Sequence, residues 1–369
     1  MLVEDGGYAS DLLAARTAAL EARDAGLASE IVLGSLRYQA QLDYLIEHYS
    51  GRARFDTAVR IALRMGIYQL RYLERVPAHA AVSESVQLVR RARKASAAGL
   101  VNAVLRKVNR EPVAWPDRAT ELSHPAWMLE RWDRQYGEEM ATGIALANLR
   151  QPETYVRIAP GREPPPSARL EPTEVPGCYR LVEGRAGGEL RIQDIGSQSI
   201  VPLLELAPGQ TFLDLCAAPG NKTAQALEAG VRAVACDVHL SRLRGLRGLA
   251  CDRVVLDGTQ PLPFGNTFDR ILVDAPCSGT GTLARNPEIK WRLSPGDLAS
   301  LHRRQAALLG NALKHLAPGG ILVYSTCSLE REENDDVVAA LGLHPRRVLR
   351  RIPGRDAGDG FFAAVLTSE

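Results

Sequence analysis

Five short hydrophobic runs in the C-terminal half of the chain carry an Asp or a Cys at or just after their ends. The runs are TFLDLCA, RAVACDV, RVVLDG, DRILVDA and GILVYST. Between them, segments such as NKTAQALEAG and PGDLASLHRRQAALLGNALKHL carry apolar residues at helical spacing. Strands that alternate with helices predict an α/β fold with a parallel, doubly wound sheet.

The polar residues at these strand ends indicate a ligand site. They are Asp214, Cys216, Asp237, Asp257, Asp274, Cys277 and Cys327. In open parallel sheets, ligands bind outside the carboxyl ends of the strands. So many reactive side chains at one edge of a sheet favour a functional explanation over a structural coincidence.

Residues 8–110 are helical throughout in pattern, and the charge of the first 110 residues is unevenly distributed. Apolar residues recur every three or four positions in segments such as DTAVRIALRMGIYQLRYL and GLVNAVLRKVNR. These residues include 16 Lys and Arg against 11 Asp and Glu, and seven of the cations lie in VRRARKASAAGLVNAVLRKVNR. Two interpretations of this basic run stay open, a solvated helix face and a surface that contacts phosphates.

Composition argues against a membrane protein. The hydrophobic fraction is 46% and the charged fraction 24%, as in soluble globular proteins. No apolar run approaches the roughly 20 residues that span a bilayer. The N-terminal MLVEDGGYAS is acidic where a signal peptide is basic, and no apolar segment follows it. We expect a cytoplasmic protein with no membrane partner.

The length of 369 residues fits two or three domains. We expect a helical domain over 1–115, a small α+β connecting domain over 116–188 and an α/β domain over 189–369. In the connecting domain, HPAWMLERWDRQYGEEMATGIALANL predicts helix, and ETYVRI, CYRLVEG and GELRIQD predict short strands. The proline-rich APGREPPPSARLEPTEVPG between them predicts an irregular connection.

The turn DLCAAPGNKT, after the first strand of the α/β domain, discriminates among cofactor classes. A phosphate-binding loop would need glycines where Cys216 and Asn221 stand, although Lys222 and Thr223 fit it. A dinucleotide fold would need three spaced glycines, and only Gly220 is present. S-adenosylmethionine requires neither set, because it carries no phosphate.

Two acids support that cofactor. Asp237 ends the second strand, where an acid for the ribose hydroxyls is expected, and Asp257 ends the third strand on the adenine side. Each acid by itself is as well explained as a helix cap or a turn former. Together with the turn, they favour S-adenosylmethionine as the cofactor.

The cysteines indicate covalent chemistry. Six cysteines without a C-x-x-C pair predict neither a disulfide scaffold nor a metal site. Carbon 5 of a pyrimidine becomes a nucleophile toward a methyl donor only after a thiolate has added to carbon 6. Such a reaction is aided by an acid at the ring edge, and DAPCSGTG with STCS supplies Asp274, Cys277 and Cys327. The spacing does not decide which thiol attacks.

Three segments, LDLCAAPGNKT, VDAPCSGTGTLARNPEIKW and YSTCSLEREEN, resemble the signature motifs of the RNA cytosine-C5 methyltransferases. The segments ASEIVLGSLRYQAQLDYLI and GLVNAVLRKV resemble a NusB-type RNA-binding domain, and SHPAWMLERW and IQDIGSQS resemble the region that connects the two. This order of parts is that of the RsmB (Sun/Fmu) family, whose members methylate a cytosine in 16S ribosomal RNA. The resemblance covers nearly the whole chain.

The resemblance implies a Rossmann-like S-adenosylmethionine-dependent methyltransferase domain preceded by an all-α NusB-like bundle. It implies that Cys327 is the nucleophile and that Cys277 assists product release. Asp274 is expected to hold the base, as the acid that accompanies the two cysteines in these motifs. The cofactor contacts that it implies are Cys216, Ala217, Ala218, Pro219, Gly220, Asn221, Lys222, Asp237, Asp257 and Asp274. The family usually has a glycine at position 221, and we expect Asn221 to preserve the turn, because Asn tolerates left-handed backbone, with slightly weaker cofactor binding.

The implied partner is RNA, with 16S rRNA as the substrate, and we expect a monomer that does not act on DNA. The target carbon is inaccessible in a stacked helix, so an unpaired or flipped nucleotide is expected. Two alternatives remain: the same chemistry on tRNA or another rRNA site, and a NusB-like RNA-binding assembly factor without catalysis.

Residues outside the motif core have structural alternatives. Lys290 contacts an RNA phosphate or is a solvated surface lysine, and Trp291 stacks on a base or packs against its own loop. His124, Trp127 and Trp132 are expected in the core or an interface. Three cysteines are expected to be inert: Cys178, Cys236 and Cys251.

Overall fold

The computed structural model describes residues 2–3, 6–184 and 190–368. The helices are α1 (Ala9–Thr17), α2 (Ala22–Arg37), α3 (Gln39–Ser50), α4 (Thr57–Tyr72), α5 (Ala78–Arg91), α6 (Ala98–Leu105), α7 (Arg118–Glu121), α8 (Ala126–Tyr136), α9 (Glu138–Leu149), α10 (Ile195–Gln198), α11 (Asn221–Leu227), α12 (Leu240–Leu243), α13 (Ile289–Arg292), α14 (Pro295–Leu313) and α15 (Asp335–Ala340). The strands are β1 (Tyr155–Arg157), β2 (Arg169–Pro172), β3 (Cys178–Glu183), β4 (Arg191–Ile192), β5 (Thr211–Asp214), β6 (Arg232–Asp237), β7 (Cys251–Val255), β8 (Phe268–Asp274), β9 (Leu316–Thr326), β10 (Arg347–Arg351) and β11 (Phe361–Thr367).

The chain divides into two compact units. The helical unit comprises Met1–Gln151 and Leu283–Arg292, and the sheet unit comprises Pro152–Thr282 and Leu293–Glu369. In this division α7–α9 belong to the helical unit and β1–β4 to the sheet unit. The expected boundary between residues 188 and 189, and the first residues of the expected strand GELRIQD, lie outside the described residues, so the three-domain division stays a prediction.

The helical unit is built on the predicted amphipathic segments. One face of each of α3–α6 contributes to a common core that includes Leu45, Leu63, Ile67, Val89 and Val101. The helical pattern over 28–49 is interrupted at Tyr38, where α2 ends and α3 begins. Among the described residues, none of the helices combines the length and apolar character needed to cross a bilayer.

The sheet unit contains a seven-stranded sheet in the order β10-β11-β9-β8-β5-β6-β7. The five strands from β9 to β7 are parallel, as predicted. At the other edge, β11 pairs antiparallel with β9 and β10 pairs antiparallel with β11. The α/β class is therefore confirmed, and the antiparallel strands form one edge of the sheet, where β10 is the charged RVLRR.

The strands are hydrophobic without alternation because both faces of this sheet are covered. Leu213, Ile271 and Leu322 lie on one face in a core that α14 completes. Residues of the opposite parity, including Phe212 and Leu272, lie on the other face in a core that the segment 200–206 and α11 complete. Strands buried on both faces are typical of doubly wound folds.

A four-stranded antiparallel sheet in the order β2-β3-β1-β4 belongs to the same unit. Its strands β1 and β3 match the predicted strands ETYVRI and CYRLVEG. The strand β2 lies inside the proline-rich segment that was predicted to be irregular, and that prediction was wrong for Arg169–Pro172. Since β2 is an exposed edge strand that pairs, among the described strands, with β3 alone, it carries no apolar pattern.

Candidate active site

The turn between β5 and α11 brings backbone close to the carboxyl edge of the sheet. Gly220 has a φ of +103°, which only glycine adopts readily. A β-carbon at this position would lie 2.6 Å from Cγ of Leu246. The glycine is therefore required both by its own conformation and by close packing.

The backbone conformation of Asn221 differs from the left-handed conformation that was expected. Asn221 is the first residue of α11, and it is not among the residues with positive φ. Its side-chain Nδ2 lies 3.3 Å from the carbonyl oxygen of Ile192 and donates to it. The tolerance of Asn for left-handed backbone therefore plays no part in this turn, and that expectation was wrong.

A cavity of about 320 Å³ opens at the carboxyl ends of the strands. It is lined by the predicted residues Cys216, Ala218, Asp237, Asp257, Asp274, Cys277 and Cys327, and also by His239, Arg242 and Arg304. The remaining predicted cofactor residues belong to the turn and are not part of the lining: Ala217, Pro219, Gly220, Asn221 and Lys222.

The two acids that were assigned to the cofactor form turns and line the cavity at the same time. Oδ1 of Asp237 accepts the backbone N–H of His239 at 2.9 Å. Oδ1 of Asp257 accepts the backbone N–H and the hydroxyl of Thr259 at 3.0 and 2.7 Å, and these bonds lower the pKa of Asp257. The structural and the cofactor interpretations of these acids are thus compatible.

The two cysteines meet because their strands are parallel neighbours. Asp274 of β8 pairs with Ser325 of β9, so the residues that follow each strand emerge at the same edge. The N–H of Gly281 donates to the carbonyl oxygen of Cys327 at 2.9 Å and joins the two loops. The Sγ atoms of Cys277 and Cys327 lie 3.4 Å apart.

The environment of Cys277 favours its protonated form. The hydrogen bond to Cys327, followed by burial and the negative charge of Glu333, raises the pKa of Cys277 well above its ordinary value. Cys277 therefore keeps its proton, and in the contact between the two sulfur atoms either thiol can be the donor.

Asp274 lies beside this pair in a fixed orientation. Its Oδ2 accepts Nζ of Lys222 at 2.6 Å, and its Oδ1 accepts the hydroxyl of Ser325 at 2.8 Å. Burial disfavours the charged form of Lys222, but the carboxylate of Asp274 outweighs it and raises the pKa of Lys222. The side chain of Asp274 is 28% exposed, which leaves it accessible to a ligand.

A buried acid lies beneath the turn. Asp214 is 1% exposed, and its Oδ2 accepts the hydroxyl of Thr223 at 2.7 Å. Its Oδ1 is buried and has no hydrogen-bond partner among the residues that the structure describes. Burial raises the pKa of Asp214 to about 7.

The other cysteines are held as thiols. Burial, with the nearby carboxylates of Asp214, Asp274 and Asp237, raises the pKa of Cys216 well above its ordinary value. Burial raises the pKa of Cys178 to about 11 and that of Cys236 to about 12. In the described part of the chain, no three His, Cys, Asp or Glu side chains are grouped so as to hold a metal ion.

Comparison with known proteins identifies the family. Residues 201–349 match the family model of the 16S rRNA methyltransferase RsmB/F, and residues 3–110 match that of the NusB family. The ribosomal RNA small subunit methyltransferase B of Klebsiella pneumoniae is 33% identical over 99% of this chain and 95% of its own length. The chain belongs to the RsmB family.

Other proteins support this membership. The ribosomal RNA small subunit methyltransferase B of Erwinia tasmaniensis is 33% identical over 100% of this chain and 96% of its own length. A crystal structure of a methyltransferase homologue from Pyrococcus horikoshii superposes with a TM-score of 0.60 and is 25% identical, covering 69% of this chain and all of its own. The similarity to these relatives thus extends along nearly the full length of the chain.

The cofactor of this RsmB-family methyltransferase is S-adenosylmethionine, and the cavity fits it. Its volume of about 320 Å³ lies within the range of roughly 300–1,000 Å³ that holds small ligands. The carboxylates of Asp237, Asp257 and Asp274 in the lining suit ribose hydroxyls and a positively charged sulfonium.

The segment Leu283–Arg292, which follows the Cys277 loop, belongs to the helical unit. Lys290 is 1% exposed, and its Nζ donates to the carbonyl oxygen of Arg37 at 2.8 Å. Neither a phosphate contact nor a solvated lysine describes it, so both expectations were wrong. Trp291 packs, but against α2, where its Nε1 donates to the carbonyl oxygen of Leu36 at 2.8 Å.

Other expectations hold in the helical unit. His124 and Trp132 are buried there, as predicted.

One residue near the thiols was not predicted from the sequence: Glu333, in the motif EREEN, is completely buried beside both cysteine loops. A run of acids is typical of an exposed charged surface, and no spacing signal marks Glu330 and Glu333, which are both completely buried.

Proposed function

We propose that the protein transfers a methyl group from S-adenosylmethionine to carbon 5 of a cytosine in 16S rRNA. The observation that carries this proposal is the pair of thiols 3.4 Å apart beside Asp274 in the lining of the cofactor cavity. The relatives named above are small subunit rRNA methyltransferases, and a thiol beside a methyl-donor site suits a base that is activated by covalent addition.

In this mechanism Cys327 supplies the nucleophile. Its thiolate adds to carbon 6 of the ring, and the electron pair of the C5–C6 double bond makes carbon 5 nucleophilic. S-adenosylmethionine supplies the electrophilic methyl group that carbon 5 accepts. A base from solvent then removes the proton from carbon 5, the electron pair of that C–H bond restores the double bond, and the sulfur of Cys327 leaves as a thiolate.

Cys277 assists the last step. It retains its proton next to Cys327, and a hydrogen bond from Cys277 stabilises the sulfur of Cys327 as it leaves with a negative charge. The resemblance to the family assigns the same roles to the two positions.

Asp274 holds the base. Each carboxylate oxygen has two lone pairs, so Oδ1 and Oδ2 can each accept a further hydrogen bond beyond those from Ser325 and Lys222. The exocyclic amino group of cytosine is a donor that fits them. The fixed orientation of Asp274 would place carbon 6 near Cys327 without further reorganisation.

The cofactor contacts follow the same edge of the sheet. Asp237 is proposed to bind the ribose hydroxyls and Asp257 to lie on the adenine side. The turn from Cys216 to Lys222 provides the close backbone approach for the methionine part. Cys216 contributes position only, because its thiol stays protonated.

The helical unit is proposed to select the RNA. Its match to the NusB family and its basic run suit shape and phosphate contacts to an unpaired or flipped nucleotide. We propose that the protein acts in the cytoplasm, as a monomer and not on DNA.

The experiment is methylation of defined transcripts with isotope-labelled S-adenosylmethionine, followed by mapping of the labelled nucleotide by mass spectrometry. The expected product is 5-methylcytosine at one position of 16S rRNA. The variant Cys327→Ala should lose at least about 10³-fold in turnover, and Cys251→Ala is the matched control thiol outside the cavity lining. Methylation of tRNA alone, full activity of Cys327→Ala, or no methylation by the wild type would overturn the proposal, the last in favour of a non-catalytic assembly factor.

A further inference from the structure

Glu333 is a buried acid that the mechanism above does not use. It ends the short 3₁₀ turn Arg331–Glu333, which follows Cys327 along the chain, and it is 0% exposed. Among the described residues it forms no ion pair with Lys or Arg. An isolated buried carboxylate is costly unless hydrogen bonds replace its hydration.

Four donors satisfy the carboxylate of Glu333. Oε1 accepts the backbone N–H of Ser278 at 2.8 Å and Nε2 of Gln305 at 2.9 Å. Oε2 accepts the hydroxyls of Ser278 and Ser328, each at 2.5 Å. Because a carboxylate offers about four acceptor sites, the binding capacity of Glu333 is filled.

These donors connect the two reactive thiols. Ser278 directly follows Cys277, and Ser328 directly follows Cys327. A single side chain therefore holds both cysteine loops, and the two hydroxyl oxygens lie 3.1 Å apart in contact with it. The bond from the N–H of Ser278 also fixes the orientation of the peptide group that links Cys277 to Ser278.

The positions of the two cysteines depend on the hydrogen bonds of Glu333 to different extents. Cys327 directly follows β9, which is paired on one side with β8 and on the other with β11. Cys277 lies in a loop beyond the end of β8, and its neighbour Ser278 makes two of the four bonds to Glu333. Loss of the carboxylate would therefore displace Cys277 more than Cys327.

We propose that Glu333 is a positioning residue that fixes the distance between the sulfur atoms of Cys277 and Cys327, and that it thereby controls release of the methylated RNA. This inference rests on the proposed function of the two cysteines. The negative charge of Glu333 also contributes to the raised pKa of Cys277, so the same carboxylate keeps the releasing group protonated.

We expect the fold to tolerate loss of the hydrogen bonds of Glu333, because other hydrogen bonds join the two cysteine loops. The N–H of Gly281 donates to the carbonyl oxygen of Cys327 at 2.9 Å. The N–H of Leu329 donates to the hydroxyl of Thr280, also at 2.9 Å. In a Glu333 variant, we expect the distance between the two sulfur atoms to be less well fixed while the two cysteine loops stay joined.

The test compares Glu333→Gln with Asp336→Asn, a change of acid to amide in a surface ion pair with Arg331. Turnover and the amount of protein–RNA complex that survives denaturation are measured with unmodified RNA and S-adenosylmethionine. Glu333→Gln should lose about tenfold or more in turnover and accumulate the covalent complex, with S-adenosylmethionine affinity within about twofold of wild type. Asp336→Asn should match the wild type in all three measurements.

Accumulation of the covalent complex distinguishes a positioning role of Glu333 from a merely structural one, since a disordered active site would form no covalent complex at all. Wild-type turnover by Glu333→Gln, or lost turnover without complex while S-adenosylmethionine still binds, would overturn the inference. If Glu333→Gln no longer binds S-adenosylmethionine, the variant Ser278→Ala replaces it in the test, because it removes one of the four donors to Glu333. Ser278→Ala should accumulate the covalent complex. If it does not, the inference is wrong. Absence of any covalent adduct between the wild type and 5-fluorocytosine RNA would instead reject the proposed function.

Discussion

The Sγ atoms of Cys277 and Cys327 lie 3.4 Å apart although 50 positions separate the two residues along the chain. Their proximity follows from the parallel pairing of β8 and β9 in a register that sets Asp274 opposite Ser325. Two thiols at this distance share one proton more readily than they hold two negative charges. The arrangement suits a reaction in which one sulfur attacks while the other stays protonated.

The same proximity predicts that mild oxidation inactivates the enzyme reversibly. An S–S bond of about 2.05 Å requires only a small approach of the two sulfur atoms. Oxidised glutathione should convert the two thiols into one disulfide and yield two molecules of reduced glutathione. Activity should be lost with formation of a Cys277–Cys327 linked peptide under non-reducing mass spectrometry, and dithiothreitol should restore it.

The variant Cys277→Ala is the control for this oxidation. It has no partner for Cys327, so only a mixed disulfide with glutathione can form there. Recovery of unlinked peptides from oxidised, inactive wild-type protein would contradict the prediction.

Asn221→Gly, which restores the residue usual in the family, should not tighten cofactor binding. Asn221 has helical backbone, so glycine relieves no strain there. It would remove the bond to Ile192 and cost about 0.3 kcal/mol in helix stability, because glycine ranks only slightly below Asn as a helix former. We expect a lower midpoint of thermal unfolding and an unchanged Kd for S-adenosylmethionine by calorimetry; a severalfold tighter Kd would show that Asn221 does impair the turn.

Asp214 makes stability fall as the pH rises. Its pKa of about 7 in the folded protein exceeds its ordinary value of 3.8, so the folded state binds the proton more tightly than the unfolded state does. The contribution of Asp214 to the free energy of unfolding is therefore fully present below pH 3.8 and is lost as the pH rises through about 7.

The isosteric variant Asp214→Asn removes this dependence. Relative to the wild type, it should gain about 2–3 kcal/mol in free energy of unfolding between pH 5 and pH 8, as measured by urea denaturation without cofactor. Parallel pH profiles of the two proteins would mean that Asp214 is already ionised in the folded state.

The sequence predicts the centre of the fold well because its strands are buried on both faces. Runs such as DRILVDA are continuous in hydrophobicity, and their polar ends mark the carboxyl edge of the sheet. At the margin, β2 and β10 are short, exposed and charged, so their pairing follows from the neighbouring strands and not from their own pattern.

The site is predictable where a residue type is unusual and hidden where burial decides the role. Cysteines and acids at strand ends stand out in a single sequence, and the structure brings Asp274, Cys277 and Cys327 together in one cavity lining. Lys290 and Glu333 look like ordinary surface charges in sequence, yet both are about 1% exposed or less. Their burial arises from contacts with distant segments, at Arg37 for Lys290 and at Ser278 for Glu333, which local pattern does not encode.

The most direct test of the mechanism identifies the sulfur that bonds to the ring. With RNA that contains 5-fluorocytosine at the target, fluorine replaces the proton that must leave carbon 5, so the methylated adduct cannot collapse. After nuclease and protease digestion, mass spectrometry should find the methylated fluoropyrimidine attached to the peptide that contains Cys327. Attachment to the peptide that contains Cys277, or intact protein that carries no nucleotide after exposure to the RNA and S-adenosylmethionine, would contradict the account.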